Sequence, residues 1–105
     1  MGLEVKTARS ELEREVTGGY ASDLLSDVMA NARKDDLWVT LQTHQNIVAV
    51  ATLKGVAGVI LVNDRVPEED TVQLAEEEHL PLLVTGLPAF EIIGRLYEMG
   101  IKGSR

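Results

Sequence analysis

Gly58-Val59-Ile60-Leu61-Val62 is an uninterrupted apolar run. A strand that is wet on one face alternates apolar and polar residues, whereas a strand apolar at every position has to be covered on both faces. The run therefore predicts a central strand of a mostly parallel sheet with helices on both sides. Working upstream, Asn46 to Lys54 is almost wholly apolar. Periodicity alone does not separate a buried helix from a buried strand there. Thr43 and Asn46 offer caps before it and Gly55 a stop after it, which predicts a short helix. Downstream, Pro67 opens an acidic helix that runs to about His79. Pro81 to Thr85 reads as a short apolar strand. Pro88 starts a last helix, where Ala89, Ile92, Ile93, Leu96 and Tyr97 fall on one face, and Gly100 ends it.

The N-terminal half continues the alternation. Leu3 to Thr7 is a candidate strand, and Glu11 to Thr17 is a second extended segment leading into a turn at Gly18-Gly19. From Ser22 the period changes: Leu25, Val28, Met29 and Ala32 fall at i, i+3, i+4 and i+7, one face of a helix. Ser22 reads as its N-cap and Asp23 as an acid in its first turn. Asp35-Asp36 break that helix, and Leu37 to Gln42 reads as a strand. Strand and helix in alternation predict a single α/β domain over residues 1–105, a three-layer sandwich of helices, parallel sheet and helices.

Composition narrows the classes of function. With 45% hydrophobic residues among 105, the chain can bury a core. It has no cysteine, which excludes disulfides, thiolate metal sites and a cysteine nucleophile from this chain. The formal net charge of −7 repels phosphate backbones, so nucleic acid is not an expected partner. The start lacks a basic segment followed by an apolar one, and no apolar run reaches the length of a membrane span. A cytoplasmic location without membrane contact is expected. Neither His44 nor His79 has a second ligand at metal spacing, and no cofactor is expected.

Thr17-Gly18-Gly19, preceded by Glu15-Val16, is similar to the motif that names the DRTGG domain, with Glu15-Val16 in place of Asp-Arg. The resemblance extends over Trp38 to Ala51 and over Ala89 to Tyr97. It implies a small α/β module with the fold of the N-terminal domain of HPr kinase/phosphorylase. Such modules occur in phosphate acetyltransferases, in some CBS-domain pyrophosphatases and as stand-alone proteins, where neighbouring domains perform the catalysis. The chain carries no Gly-x-x-x-x-Gly-Lys-Ser/Thr segment, so kinase chemistry has no nucleotide cradle here.

In open parallel sheets, ligands bind beyond the carboxyl ends of the strands. The sequence places small or hydrogen-bonding residues at those ends: Thr17, Gly18 and Gly19 before the Ser22 helix, then Gln42, Thr43, His44 and Asn46, then Asn63-Asp64-Arg65, then Thr85-Gly86. Their bland reading is loop chemistry, since such loops need caps and glycines anyway. Their functional reading is a site for a nucleotide or other anionic metabolite, with the glycine pair and the helix start receiving the anion. A third reading makes His44 a general acid or base. The preferred reading is a non-catalytic regulatory or protein-interaction module. A last expectation concerns assembly. If Ile47, Val50 and Ala51 of the 46–54 helix face the sheet, then Val48, Ala49 and Thr52 point away and are covered by a second copy in a homodimer.

Overall fold

The computed structural model describes residues 2–8 and 15–103. Their elements run β1 (Leu3–Thr7), β2 (Gly18–Ala21), α1 (Leu25–Asn31), β3 (Asp36–Thr40), α2 (Asn46–Lys54), β4 (Gly58–Leu61), α3 (Glu69–Glu77), β5 (Leu82–Thr85) and α4 (Ala89–Glu98). The sheet order is β1-β5-β4-β3-β2, and β4 is its centre, as the apolar run predicts. Strands β2 to β5 are parallel, and β1 is antiparallel to β5. Of the segment expected to be extended over 11–17, residues 11–14 lie outside the described residues, and 15–17 belong to no strand.

From β2 to β5 each connection steps one strand further in the same direction. Right-handed crossovers then place every intervening helix on the same side. The core divides accordingly. Val28 of α1, Ile47, Val48 and Ala51 of α2, and Ala75 of α3 pack with Trp38, Val59, Leu61 and Leu82 on one face. Ile92 and Leu96 of α4 pack with Val39, Ile60 and Val62 on the other. The three-layer α/β/α arrangement holds, but it is lopsided: three helices on one face, one on the other among the described residues. All four residues of β4 are buried, because both faces are covered at the sheet centre.

Local conformations follow from residue chemistry. Gly55 takes φ +69° at the C-cap of α2, the left-handed value that ends a helix at least cost in glycine. His79 takes φ +57° just after α3, and the next amide, that of Leu80, reaches back to Ala75 O at 2.9 Å. His79 is thus a helix-ending residue.

Several expectations are corrected. Gly18 and Gly19 do not form a turn: they start β2, paired with Asp36 and Leu37, and neither has positive φ. Ser22 is not the N-cap of α1; Leu24 is. The reason is that Ser22 still belongs to the sheet: its N–H donates to Val39 O at 3.2 Å, and its carbonyl accepts the Trp38 indole N–H at 2.9 Å. Its hydroxyl accepts from Leu24 N–H instead. Asp23 therefore lies ahead of the helix, and Asp27 is the acid in its first turn. Finally, Val48 does not point away from the core. It is 1% exposed, sealed where α3 packs beside α2, while Ala49 and Thr52 are exposed.

Candidate functional site: the carboxyl edge of the sheet

The carboxyl ends of the parallel strands form one edge, and its two ends are built differently. At the β2–β3 end the polar side chains are spent on one another. Asp23 Oδ1 accepts from Thr40 Oγ1 at 2.8 Å and from Leu41 N–H at 2.6 Å. Gln42 returns the link: its Nε2 donates to the Asp23 carbonyl at 2.9 Å, and its N–H donates to Thr40 Oγ1 at 3.2 Å. The Thr43 carbonyl accepts from Thr71 Oγ1 and from Glu68 N–H, tying the loop to the start of α3. His44 Nδ1 accepts from Asn46 N–H at 3.1 Å and also contacts Asn46 Oδ1. His44 and Asn46 thus close the first turn of α2 around each other. A shallow cavity of about 180 Å³ remains between Ser22, Asp23, Leu41 and Ala89.

The other end, where β4 and β5 stop and β1 begins, is open. A cavity of about 270 Å³ lies there beside the loop into α3. Its walls are apolar at Val66, Pro67 and Val84, and charged at Glu4, Lys6, Asp64 and Arg65. Lys6 Nζ pairs with Glu4 at 3.2 Å, and Arg65 is exposed. The floor includes Thr85 and Gly86. Thr85 Oγ1 accepts from Leu87 N–H, and the Thr85 carbonyl accepts from Asp64 N–H. A Cβ on Gly86 would come within 2.9 Å of Asp64 Oδ1, so glycine is what lets the Asp64 carboxylate lie over this turn. Asn63 and Asp64 are both left-handed, at φ +58° and +57°. Paired left-handed residues other than glycine store strain, which collects at binding sites more often than elsewhere.

The predicted residues therefore separate. Ser22, Gln42, Thr43, His44 and Asn46 share the β2–β3 end. Thr85 lies at the open end, roughly 10 Å away across two strand spacings from the β3 terminus. Thr17, Gly18 and Gly19 lie at the opposite, amino edge, about one strand length or ~13 Å from Ser22. There Thr17 N–H bonds to Asp35 O, and Gly19 N–H bonds to Lys102 O. Lys6 and Glu4 are absent from the sequence expectation. They line the cavity because β1 is antiparallel to β5: Leu3 lies opposite Thr85, Glu4 opposite Val84, and Lys6 further from the carboxyl edge, between the Val5–Leu83 and Thr7–Leu82 pairs. Among the described residues no group of three His, Cys, Asp or Glu side chains is placed to hold a metal ion, and no helix is long and apolar enough to cross a membrane.

No family model matches the chain, and no curated protein does. Its fold is found in a solved structure: the CBS and DRTGG domains of the regulatory region of Clostridium perfringens pyrophosphatase, complexed with the activator diadenosine tetraphosphate. The TM-score is 0.72 at 14% sequence identity, over 95% of this chain and 43% of that one. The fold is DRTGG-like. This chain spans less than half the length of that regulatory region.

Proposed function

We propose that this chain is a non-catalytic regulatory module of the DRTGG type, cytoplasmic, whose input is a small anionic metabolite. The observation that carries the reading is the division of the carboxyl edge. Its β2–β3 end is tied together by Asp23, Thr40, Gln42 and the Thr43 carbonyl around a smaller cavity. Its β4–β5–β1 end leaves a larger cavity bordered by Lys6 and Arg65, with the Glu4 and Asp64 carboxylates beside them. Binding there bridges β1, the β4–α3 loop and the β5–α4 loop, three segments that meet nowhere else along the edge. A ligand that joins them alters the start of α3 and the start of α4, which is how a small molecule reaches the helical layers. The regulatory setting of the structural neighbour, and its nucleotide activator, support the class of function. An enzymatic role for His44 has less support, since its Nδ1 is committed to Asn46.

A thermal-shift screen with AMP, ATP, inorganic phosphate and pyrophosphate tests the reading. A ligand held by the folded state at 100 times its Kd stabilises by about 2.7 kcal/mol. A hit with the wild type, lost in Lys6→Ala/Arg65→Ala and kept in His44→Ala, is the expected result. A hit that survives the double substitution rejects the cavity, and turnover of the hit compound by pure protein rejects the non-catalytic role.

A further inference from the structure

Helix α4 presents two faces. Ile92 and Leu96 are buried against the sheet, whereas Phe90, Ile93 and Tyr97 are 91%, 38% and 55% exposed. With Gly94 these fall at i, i+3, i+4 and i+7, so they form one stripe. An exposed apolar stripe of this kind marks a contact surface. Gly94 lies at its middle. Glycine inside a helix is disfavoured relative to alanine, and a Cβ at Gly94 would meet nothing in this chain within 4 Å. No packing within the protomer accounts for the missing side chain. A close approach by the backbone of another molecule does.

We propose that this stripe is the contact between two copies of the chain, packed as antiparallel α4 helices about a two-fold axis lying between Ile93 and Gly94. Self-complementarity selects a second copy over other partners. The stripe reads aromatic, aliphatic, glycine, aromatic. Its own antiparallel image sets Phe90 against Tyr97 of the second copy, on the ring face opposite the Lys102 ammonium that lies 3.4 Å from the Tyr97 centroid, and brings Ile93 beside Ile93 and Gly94 beside Gly94 of the second copy. Small residues are what allow two helix backbones to approach this closely. Area sets the strength. The three exposed side chains offer on the order of 400 Å² per copy, which with a polar rim brings the pair near the ~1,000 Å² lower bound of specific interfaces. The contact is a reversible one, distinct from an obligate dimer. It also differs from the surface expected on α2, where Val48 is buried inside the protomer.

The absence of cysteine makes the test direct. Gly94→Cys places the sole thiol beside the two-fold axis, where helix backbones in contact stand about 6 Å apart, within the reach of a disulfide. Leu53→Cys places it on the outer side of α2, at a position 72% exposed. Under mild oxidation at about 50 µM, in the concentration range of a weak interface, Gly94→Cys should become a covalent dimer and Leu53→Cys should remain monomeric. In sedimentation equilibrium the wild type should be dimeric at the upper concentrations. Phe90→Ser and Gly94→Leu should associate at least about tenfold more weakly, with thermal melts showing both still folded. A wild type that stays monomeric overturns the proposal. So does association unchanged by both substitutions, or cross-linking through Leu53→Cys in place of Gly94→Cys.

Discussion

The two ends of the carboxyl edge are made of the same kinds of residue and behave as opposites. At the β2–β3 end, Asp23, Thr40 and Gln42 bond to one another, His44 bonds to Asn46, and the Thr43 carbonyl accepts from Thr71. At the β4–β5–β1 end, Lys6, Asp64 and Arg65 surround a space. The difference lies in the loops. Residues 41–45 join β3 to α2 and spend their polar groups on caps and bridges, whereas the longer loop 62–68 joins β4 to α3 and carries Asp64 and Arg65 beside the antiparallel edge strand β1. A polar strand end is thus informative about binding only once its neighbours are known.

Substitutions at the locked end should have the largest effects. Trp38 is fully buried and its indole N–H holds Ser22 O. Trp38→Ala should cost about 3–5 kcal/mol by urea unfolding, and Trp38→Phe about 1–2 kcal/mol, chiefly the lost hydrogen bond. A cost below about 1 kcal/mol for the alanine variant is incompatible with a knitted β2–β3 end. Next comes Asp23→Ala, which removes the acceptor shared by Thr40 Oγ1 and Leu41 N–H and should cost about 1–2 kcal/mol. Hydrogen exchange should report it as faster exchange at Leu41 and Gln42 with little change at β5.

The open end should respond in the reverse sense, with small stability changes and large binding ones. Gly86→Ala displaces the Asp64 carboxylate, the free end of a side chain, so its stability cost should stay under about 1 kcal/mol. The displaced carboxylate moves into the cavity, and affinity for an anionic ligand should fall about tenfold, a difference of 1.4 kcal/mol; titration calorimetry measures it. The smallest effect belongs to Asn63→Gly. Glycine relieves the left-handed strain but adds freedom to the unfolded chain, so the thermal midpoint should change little, with a net gain of at most about 0.5 kcal/mol.

Much of the fold was legible because it rests on local pattern. Gly58 to Val62 announces a buried strand, and Asn46 and Gly55 bracket α2 to the residue. What misled was the region where one element is pulled out of its local preference by a neighbour. Gly18-Gly19 has the chemistry of a turn, yet the edge of β3 captures it as a strand. Ser22 has the chemistry of a cap, yet Val39 and Trp38 hold it in the sheet. Likewise, an apolar helix such as α2 does not show on which side its cover lies, and α3 provides it for Val48. In the candidate site, Thr85 was visible from its strand end. Lys6 was not, because nothing within Leu3 to Thr7 reveals an antiparallel partner in the distant strand β5.

The central claim is that a small anion binds at the open end and not at the locked one. Amide chemical-shift mapping of the ¹⁵N-labelled wild-type chain, titrated with AMP and separately with pyrophosphate, tests it most directly. Binding should move the signals of Lys6, Asp64, Arg65 and Gly86 together, saturably, and leave Gln42, His44 and Asn46 in place. Shifts centred on Ser22 and Gln42 to Asn46, with the Asp64 to Gly86 corner unmoved, would contradict it.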